Sequence, residues 1–233
     1  MNSGFYKDLD TNFEQAFEMS SRTFSHEELL DMLQNGNIPQ KQIAAMRLEE
    51  VNNQRDADIL ISNLTGCDGK IREAVALKIN NLLRKNPKTI EFFNQAEIFA
   101  NATIDINANI CRLVVESVSI LKQNSEFANI YLASILGFIQ NSFEELDKIA
   151  FRDKKYVINK QLFKLYWCLE SLKLFVDKLD KEVLLKILER SCQETEYTIR
   201  EKVAQIAVLT QFEELKSRLK NDENYYVRAV FDL

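Results

Sequence analysis

The single histidine of this 233-residue chain, His26, adjoins Glu27 and Glu28, with Asp31 one turn further on. An imidazole among carboxylates could ligate a metal or move a proton. One exposed histidine at a helix start is a weak case for either, and no second imidazole exists to complete a zinc site. The four cysteines, Cys67, Cys111, Cys168 and Cys192, share no CxxC-type spacing and read as reduced thiols of a cytoplasmic protein. The pairs Glu27/Glu28 and Glu144/Glu145 fall at helix N-termini, where the helix dipole explains them better than acid–base chemistry does. No nucleophile elbow, phosphate loop, HExxH or Cys/His dyad is present. The expectation is therefore a non-enzyme with no metal and no cofactor.

A more suggestive set lies between residues 148 and 167. Lys148, Arg152, Lys154, Lys155, Lys160 and Lys164 oppose only Asp153, and the one tryptophan, Trp167, follows. Tryptophan with directed cations is the composition of binding hot spots and would suit an anionic partner, an acidic protein segment or nucleic acid. The alternative is that Trp167 packs as core and the lysines are solvated.

Something regular must position these residues. The chain has 5 Gly and 2 Pro, 46% hydrophobic residues and 28% charged residues. That excludes collagen-like and low-complexity chains, and it leaves too few breakers for the many turns of a β-sandwich or barrel. A glycine-rich nucleotide-binding fold is excluded in the same way. What remains is an all-α chain of helices joined by short polar turns. The net charge of −5 is concentrated in residues 1–36, which carry two basic and seven acidic side chains, while the rest is balanced. No global basic field for nucleic acid results. The longest apolar run, residues 130–139, is too short for a membrane span.

An internal repeat organises the chain. Ile71, Val75, Ala76, Ile79 and Leu82 lie on one helical face. The same spacing starts at Gln40, Ile110, Ile158 and Ile199, and partly at Val227. Of the 25 positions in the five complete copies, 23 are apolar. Three residues before each anchor stand Asn37, Asp68, Asn107, Lys155, Glu196 and Asn224, mostly helix-cap types. Partner helices fill the gaps: one led by a Ser25/Glu28 capping box, a short one at 56–63, one over 89–102 after Pro87, one over 181–191 capped by Asp180, and one over 211–219. The interval 125–151 has room for two, the second capped by Ser142 and Glu145. Phe5, Leu9, Phe13 and Phe17 recur every four residues, so residues 5–20 read as a further amphipathic helix covering the first repeat. Residues 1–24 are thus a capping segment. Residues 25–233 form one domain of repeats, at about 25–53, 55–86, 87–123, 125–176, 180–210 and 211–233.

The strings Asp68-Gly-Lys-Ile-Arg72-Glu-Ala-Val-Ala76, Tyr197-Thr-Ile-Arg200-Glu-Lys-Val-Ala204 and Asn224-Tyr-Tyr-Val-Arg228-Ala-Val230 resemble HEAT repeats. They are nearest the short bacterial type named after phycobilisome lyases. Three copies depart, with Lys41, Cys111 and Asn159 where the family pattern has Arg. The resemblance spans about residues 25–233 and implies a right-handed α-α superhelical solenoid of about six helix pairs. It specifies a fold and no activity. Arg72, Arg200 and Arg228, one residue past their anchors, can reach acidic turns of their own and the next repeat, as structural ladder residues.

Positions two, six and nine past each anchor point away from the apolar stripe, and in HEAT-like solenoids that surface is concave and takes partners. They include Met46, Glu49, Leu77, Asn80, Arg112, Glu116, Lys160, Lys164, Trp167 and Val208. Arg112, Glu116, Lys160, Lys164 and Trp167 are the partner-binding candidates. The expected function is a cytoplasmic, non-catalytic protein–protein interaction module, an adaptor, scaffold or inhibitor of immunity type, with another protein or peptide as partner. A nucleic-acid binder or HEAT-like DNA glycosylase is disfavoured by the charge. A bilin lyase-like subunit is suggested by the resemblance alone. Tyr225, Tyr226, Val227, Val230 and Phe231 make a poor polar cap for the last repeat, so self-association through that helix is a further expectation.

Overall fold

At five of the six anchors the polar residue three before it is a helix cap. The computed structural model describes residues 17, 19, 21–148 and 155–232. In it, Asn37 caps α2 (Ile38–Arg47), and its side chain and that of Gln40 exchange hydrogen bonds with each other's backbone N–H. Asp68 caps α4 (Gly69–Lys85), Asn107 caps α6 (Ala108–Leu121), Glu196 caps α10 (Tyr197–Val208) and Asn224 caps α12 (Tyr225–Ala229). Each side chain accepts from an orphan N–H of the first turn, which ends one helix pair and starts the next. The intervening helices are α1 (His26–Asn35), α3 (Gln54–Ile61), α5 (Ala96–Thr103), α7 (Ser125–Lys148), α9 (Lys181–Ser191) and α11 (Glu213–Lys220). The remaining long helix is α8 (Lys155–Leu172), and short 3-10 segments cover Pro87–Phe92 and Lys173–Lys178. Every described element is helical. Among the described residues, no helix is long and apolar enough to cross a membrane. The helix expected over residues 5–20 lies outside the described residues, apart from Phe17 and Met19.

The chain divides into two compact units, Met1–Ala128 and Asn129–Leu233. In the first, α2 packs on α1, α4 on α2 and α3, and α6 on α4 and α5. The anchored helices α2, α4 and α6 are thus successive neighbours, and their shared core holds Ala44, Leu48, Val75, Ile79, Val114 and Val118. In the second unit, α10 packs against α8 on one side and α12 on the other, with α9 and α11 also against it.

One hydrogen-bond rule repeats through both units. The residue after the anchor donates to the backbone carbonyl six residues back: Arg72 to Gly66 (2.7 Å), Arg200 to Glu194 (3.0 Å) and Arg228 to Asp222 (2.6 Å). Cys111 occupies the same position, and its thiol donates to Asp105 O at 3.1 Å. Two of the arginines also bridge to the next repeat. Arg72 grips Asp105 in bidentate fashion (2.6 and 3.1 Å), and Arg200 grips Asp222 (2.8 and 3.1 Å). The planar guanidinium suits this, since its remaining edge is free for the carbonyl. Lys41, at the same position of the first copy, bonds Asn63 instead, at 2.9 Å. Gly66, with φ of 149°, sits in the turn that Arg72 closes, a conformation that favours glycine. The Cys111 thiol is buried, and burial together with nearby Asp105 pushes its pKa up to about 12.

Three expectations need correction. Residues 125–148 form one helix, α7, rather than two. No Gly or Pro lies between Phe138 and Lys148, Gln140 bonds Glu144 across the expected break (2.9 Å), and the apolar stripe runs on through Ile135, Ile139 and Phe143. Ser142, the expected cap, is buried within it. Residues 87–103 form a 3-10 segment and then α5, rather than one helix. Gln54 of α3 donates to Phe92 O (2.9 Å) and accepts from Asn94 (3.3 Å), which fixes the chain in a non-helical path there. The buried stripe of α8 is Leu165, Cys168, Leu169 and Leu172. Ile158, Leu162, Phe163 and Tyr166, expected in the core, are half-buried. The apolar template holds here six residues later: from Lys164 it falls on Cys168, Leu169, Leu172 and Phe175, all buried, running from α8 into the 3-10 segment that follows.

Candidate partner-binding surface

The positions away from the apolar stripe do not behave alike. In the first unit, two of the three residues six past the anchor are open: Met46 on α2 is 67% exposed and Leu77 on α4 is 46% exposed. These are equivalent positions on neighbouring helices. The residues two and nine past the α4 anchor turn toward α6 instead. Glu73 accepts from Asn107 (3.2 Å) and Asn109 (3.1 Å). Asn80, expected on the open face, is only 4% exposed. It donates to Leu113 O and Ser117 Oγ, both at 3.3 Å, and accepts from Arg84 Nε at 2.8 Å. A buried carboxamide is stable here because its hydrogen-bonding groups are matched. Of the candidates, Arg112 is exposed and Glu116 half-buried. Glu116 is held between Arg112 (3.0 Å) and Arg84 (3.0 Å).

Beside Met46 opens a depression of about 1010 Å³, lined by Phe24, His26, Leu29, Met46, Arg47, Glu49, Glu50, Lys78 and Lys85 among others. The cations on its edge are ordered by an aromatic ring. Arg22 lies 5.2 Å and Arg47 5.7 Å from the Phe24 centroid. Arg47 also donates to the Arg22 carbonyl. His26 is half-buried, and its Nε2 hydrogen-bonds Oδ2 of the buried Asp56 at 2.9 Å, joining the start of α1 to α3.

In the second unit, Lys160 is exposed, and Lys164 and Trp167 are half-buried on α8. The indole packs edge-on against Tyr166 (5.3 Å between centroids) and Phe163 (6.4 Å), so Trp167 is in part a packing residue. Its Nε1 is buried and has no hydrogen-bond acceptor. Next to this cluster lies a polar network that the sequence did not reveal. Lys202 of α10, 8% exposed, pairs with Glu170 (2.6 Å), donates to Gln205 (3.1 Å), and lies 4.7 Å from the Tyr166 centroid. Lys173 pairs with the same carboxylate (2.6 Å). Burial works against ionisation of Glu170, but the hydrogen bonds from Lys173 and Lys202 outweigh it and hold its pKa low. Burial likewise disfavours the Lys202 ammonium, and Glu170 more than restores it. A lysine in the middle of an otherwise apolar stripe was the available signal: such a charge must find a carboxylate on the neighbouring helix.

At the end of the second unit, Tyr225 and Tyr226 are exposed and Val227 is buried, while Val230 and Phe231 are half-buried. Tyr226 stacks on Tyr197 with centroids 5.8 Å apart. The four cysteines are free, with Cys67 exposed, Cys111 and Cys168 buried, and Cys192 half-buried.

No protein-family model matches the chain, and no curated protein matches it. Among solved structures, it is similar to a crystal structure of an engineered protein at 13% identity, over 90% of this chain and 94% of that one, with a TM-score of 0.46. A likeness of that size carries no argument about fold or activity.

Proposed function

We propose that the chain is a non-catalytic HEAT-type interaction protein, a right-handed helical solenoid whose anchored helices present a surface to another protein or peptide. The observation that carries this reading is the pair Met46 and Leu77. Two large apolar side chains stand in solvent at the same repeat position of adjacent helices, bordered by charged residues. Exposed apolar area rimmed by charge is the usual composition of a protein-binding surface. The i−6 hydrogen bond repeated at Arg72, Cys111, Arg200 and Arg228 supports the repeat identity, because it recurs at one sequence position in four of the six copies. Arg112 and Glu116 in the first unit lie at the corresponding positions and extend the reading there, whereas Lys160, Lys164 and Trp167 stand on α8, whose buried stripe is shifted from the register that placed them on that face.

A photoreactive amino acid at position 46 or 77, introduced singly in the source cell, tests it. Both positions should cross-link to the same partner, while a control at Glu97, exposed on α5, should not. Absence of cross-links at 46 and 77, or the same adducts from position 97, would remove the proposal.

A further inference from the structure

Lys78 and Lys85 stand seven residues apart on α4, two helical turns, so they share a face about 10 Å apart. Both line the depression beside Met46. Neither makes an ion pair or side-chain hydrogen bond among the described residues. Lys78 is half-buried, and its pKa is lowered first by burial and then by the like charge of Lys85, with Glu49 opposing. The other charged groups of the depression are Arg47, Glu49 and Glu50. Arg47 is fixed on Phe24 and the Arg22 carbonyl, and Glu50 accepts from Asn52 at 3.3 Å. His26 is engaged with Asp56. The two lysines are therefore the cations left to meet a ligand, with the Glu49 carboxylate near Lys78 and an apolar floor of Met46, Phe24 and Leu29.

We infer that this depression docks an acidic peptide segment of a partner protein, which places two carboxylates on Lys78 and Lys85 and an apolar side chain on Met46. The inference rests on the interaction reading above and names the chemistry of its partner. The spacing sets the motif: acidic residues seven apart on a helix share a face and lie about 10 Å apart. A carboxylate arriving at Lys78 offsets both the burial and the repulsion that disfavour its charge. A nucleic acid fits less well. Its evenly spaced phosphates would meet Glu49 and Glu50, which a peptide with only two carboxylates can avoid, and Phe24 is already in contact with the Arg22 and Arg47 guanidinium groups.

Fluorescence anisotropy with the full chain tests the assignment. The probe is a labelled helix-forming Ala/Gln peptide carrying glutamates seven apart and a leucine between them. Saturable binding should weaken by about tenfold or more in Lys78→Met/Lys85→Met, which keeps the apolar stems, and should weaken with added salt. A peptide with its glutamates four residues apart should bind several-fold less tightly, and one with lysines in their place should not bind. Thermal melts of the variant should match the wild type, since removing a disfavoured charge costs the fold little. Equal affinity of wild type and variant would overturn the inference, as would tighter binding of a labelled single-stranded oligonucleotide through the same lysines. If positions 46 and 77 still cross-link a partner while the peptide fails, the acidic motif is wrong and the broader interaction reading stands. Peptide binding that depends on the two lysines without such cross-links means the reverse.

Discussion

Arg200 shows how one side chain can hold a repeat boundary. Its fork takes Asp222 of the next turn, and its outer nitrogen takes the carbonyls of Glu194 and Thr195. Removing one partner of such a pair leaves the other buried and uncompensated, which costs more than the pair itself contributes. The Arg200 hydrogen bonds lower the Asp222 pKa, with burial opposing and the Asn224 backbone N–H assisting. A carboxylate whose folded pKa is depressed adds stability above its unfolded pKa, near 3.8, and loses it as pH falls through the folded value. Asp222→Asn should therefore cost about 2 kcal/mol at pH 7. That penalty should shrink progressively below about pH 4. Urea midpoints of both proteins from pH 7 to pH 3 measure it, and a penalty independent of pH would refute the assignment. This much of the site was legible from sequence, because Arg one past the anchor and Asp five before the next are visible as spacing alone. Lys202 with Glu170 was not: their meeting depends on how α8 and α10 pack.

At the scale of the element, α8 shows where periodicity fails. It carries Ile158, Leu162, Phe163 and Tyr166 as well as Leu165, Cys168, Leu169 and Leu172. A helix apolar on so many sides satisfies the same template in two registers, and only packing chooses between them. Elsewhere a cap residue fixed the register independently, as Asp68 does for α4 and Asn107 for α6. Lys155, at the corresponding place before Ile158, is no cap type. The choice has a measurable consequence. Leu165 is fully buried, so Leu165→Ala should cost about 3 kcal/mol, whereas Ile158→Ala should cost less than about 1.5 kcal/mol. Urea denaturation of the two variants checks the order, and the reverse order would restore the register starting at Ile158.

At the scale of the whole chain, recurring caps and apolar stripes make the helical class readable and say nothing of a partner. Caps and apolar stripes recur because each helix pair solves the same packing problem. The exposed residues are free to vary, so they carry information only about whatever touches them. Packing between successive neighbours also predicts how stability is distributed. In the first unit α4 is flanked by α2 and α6 and backed by α3, and in the second α10 is flanked by α8 and α12. Amides of α4 and α10 should therefore be the slowest to exchange in their units, and those of the five-residue α12, packed only on α10 and α11, among the fastest. Native-state hydrogen exchange read by mass spectrometry measures this, and uniform protection within each unit would contradict it. The ordering bears on binding. Lys78 and Lys85 stand on α4, the helix expected to open least, so their 10 Å spacing is fixed before a ligand arrives. A fixed backbone spacing narrows the distances that the two flexible side chains can span, so less ordering is left to binding. If α4 instead exchanged as fast as α12, the spacing could not discriminate glutamates seven apart from glutamates four apart.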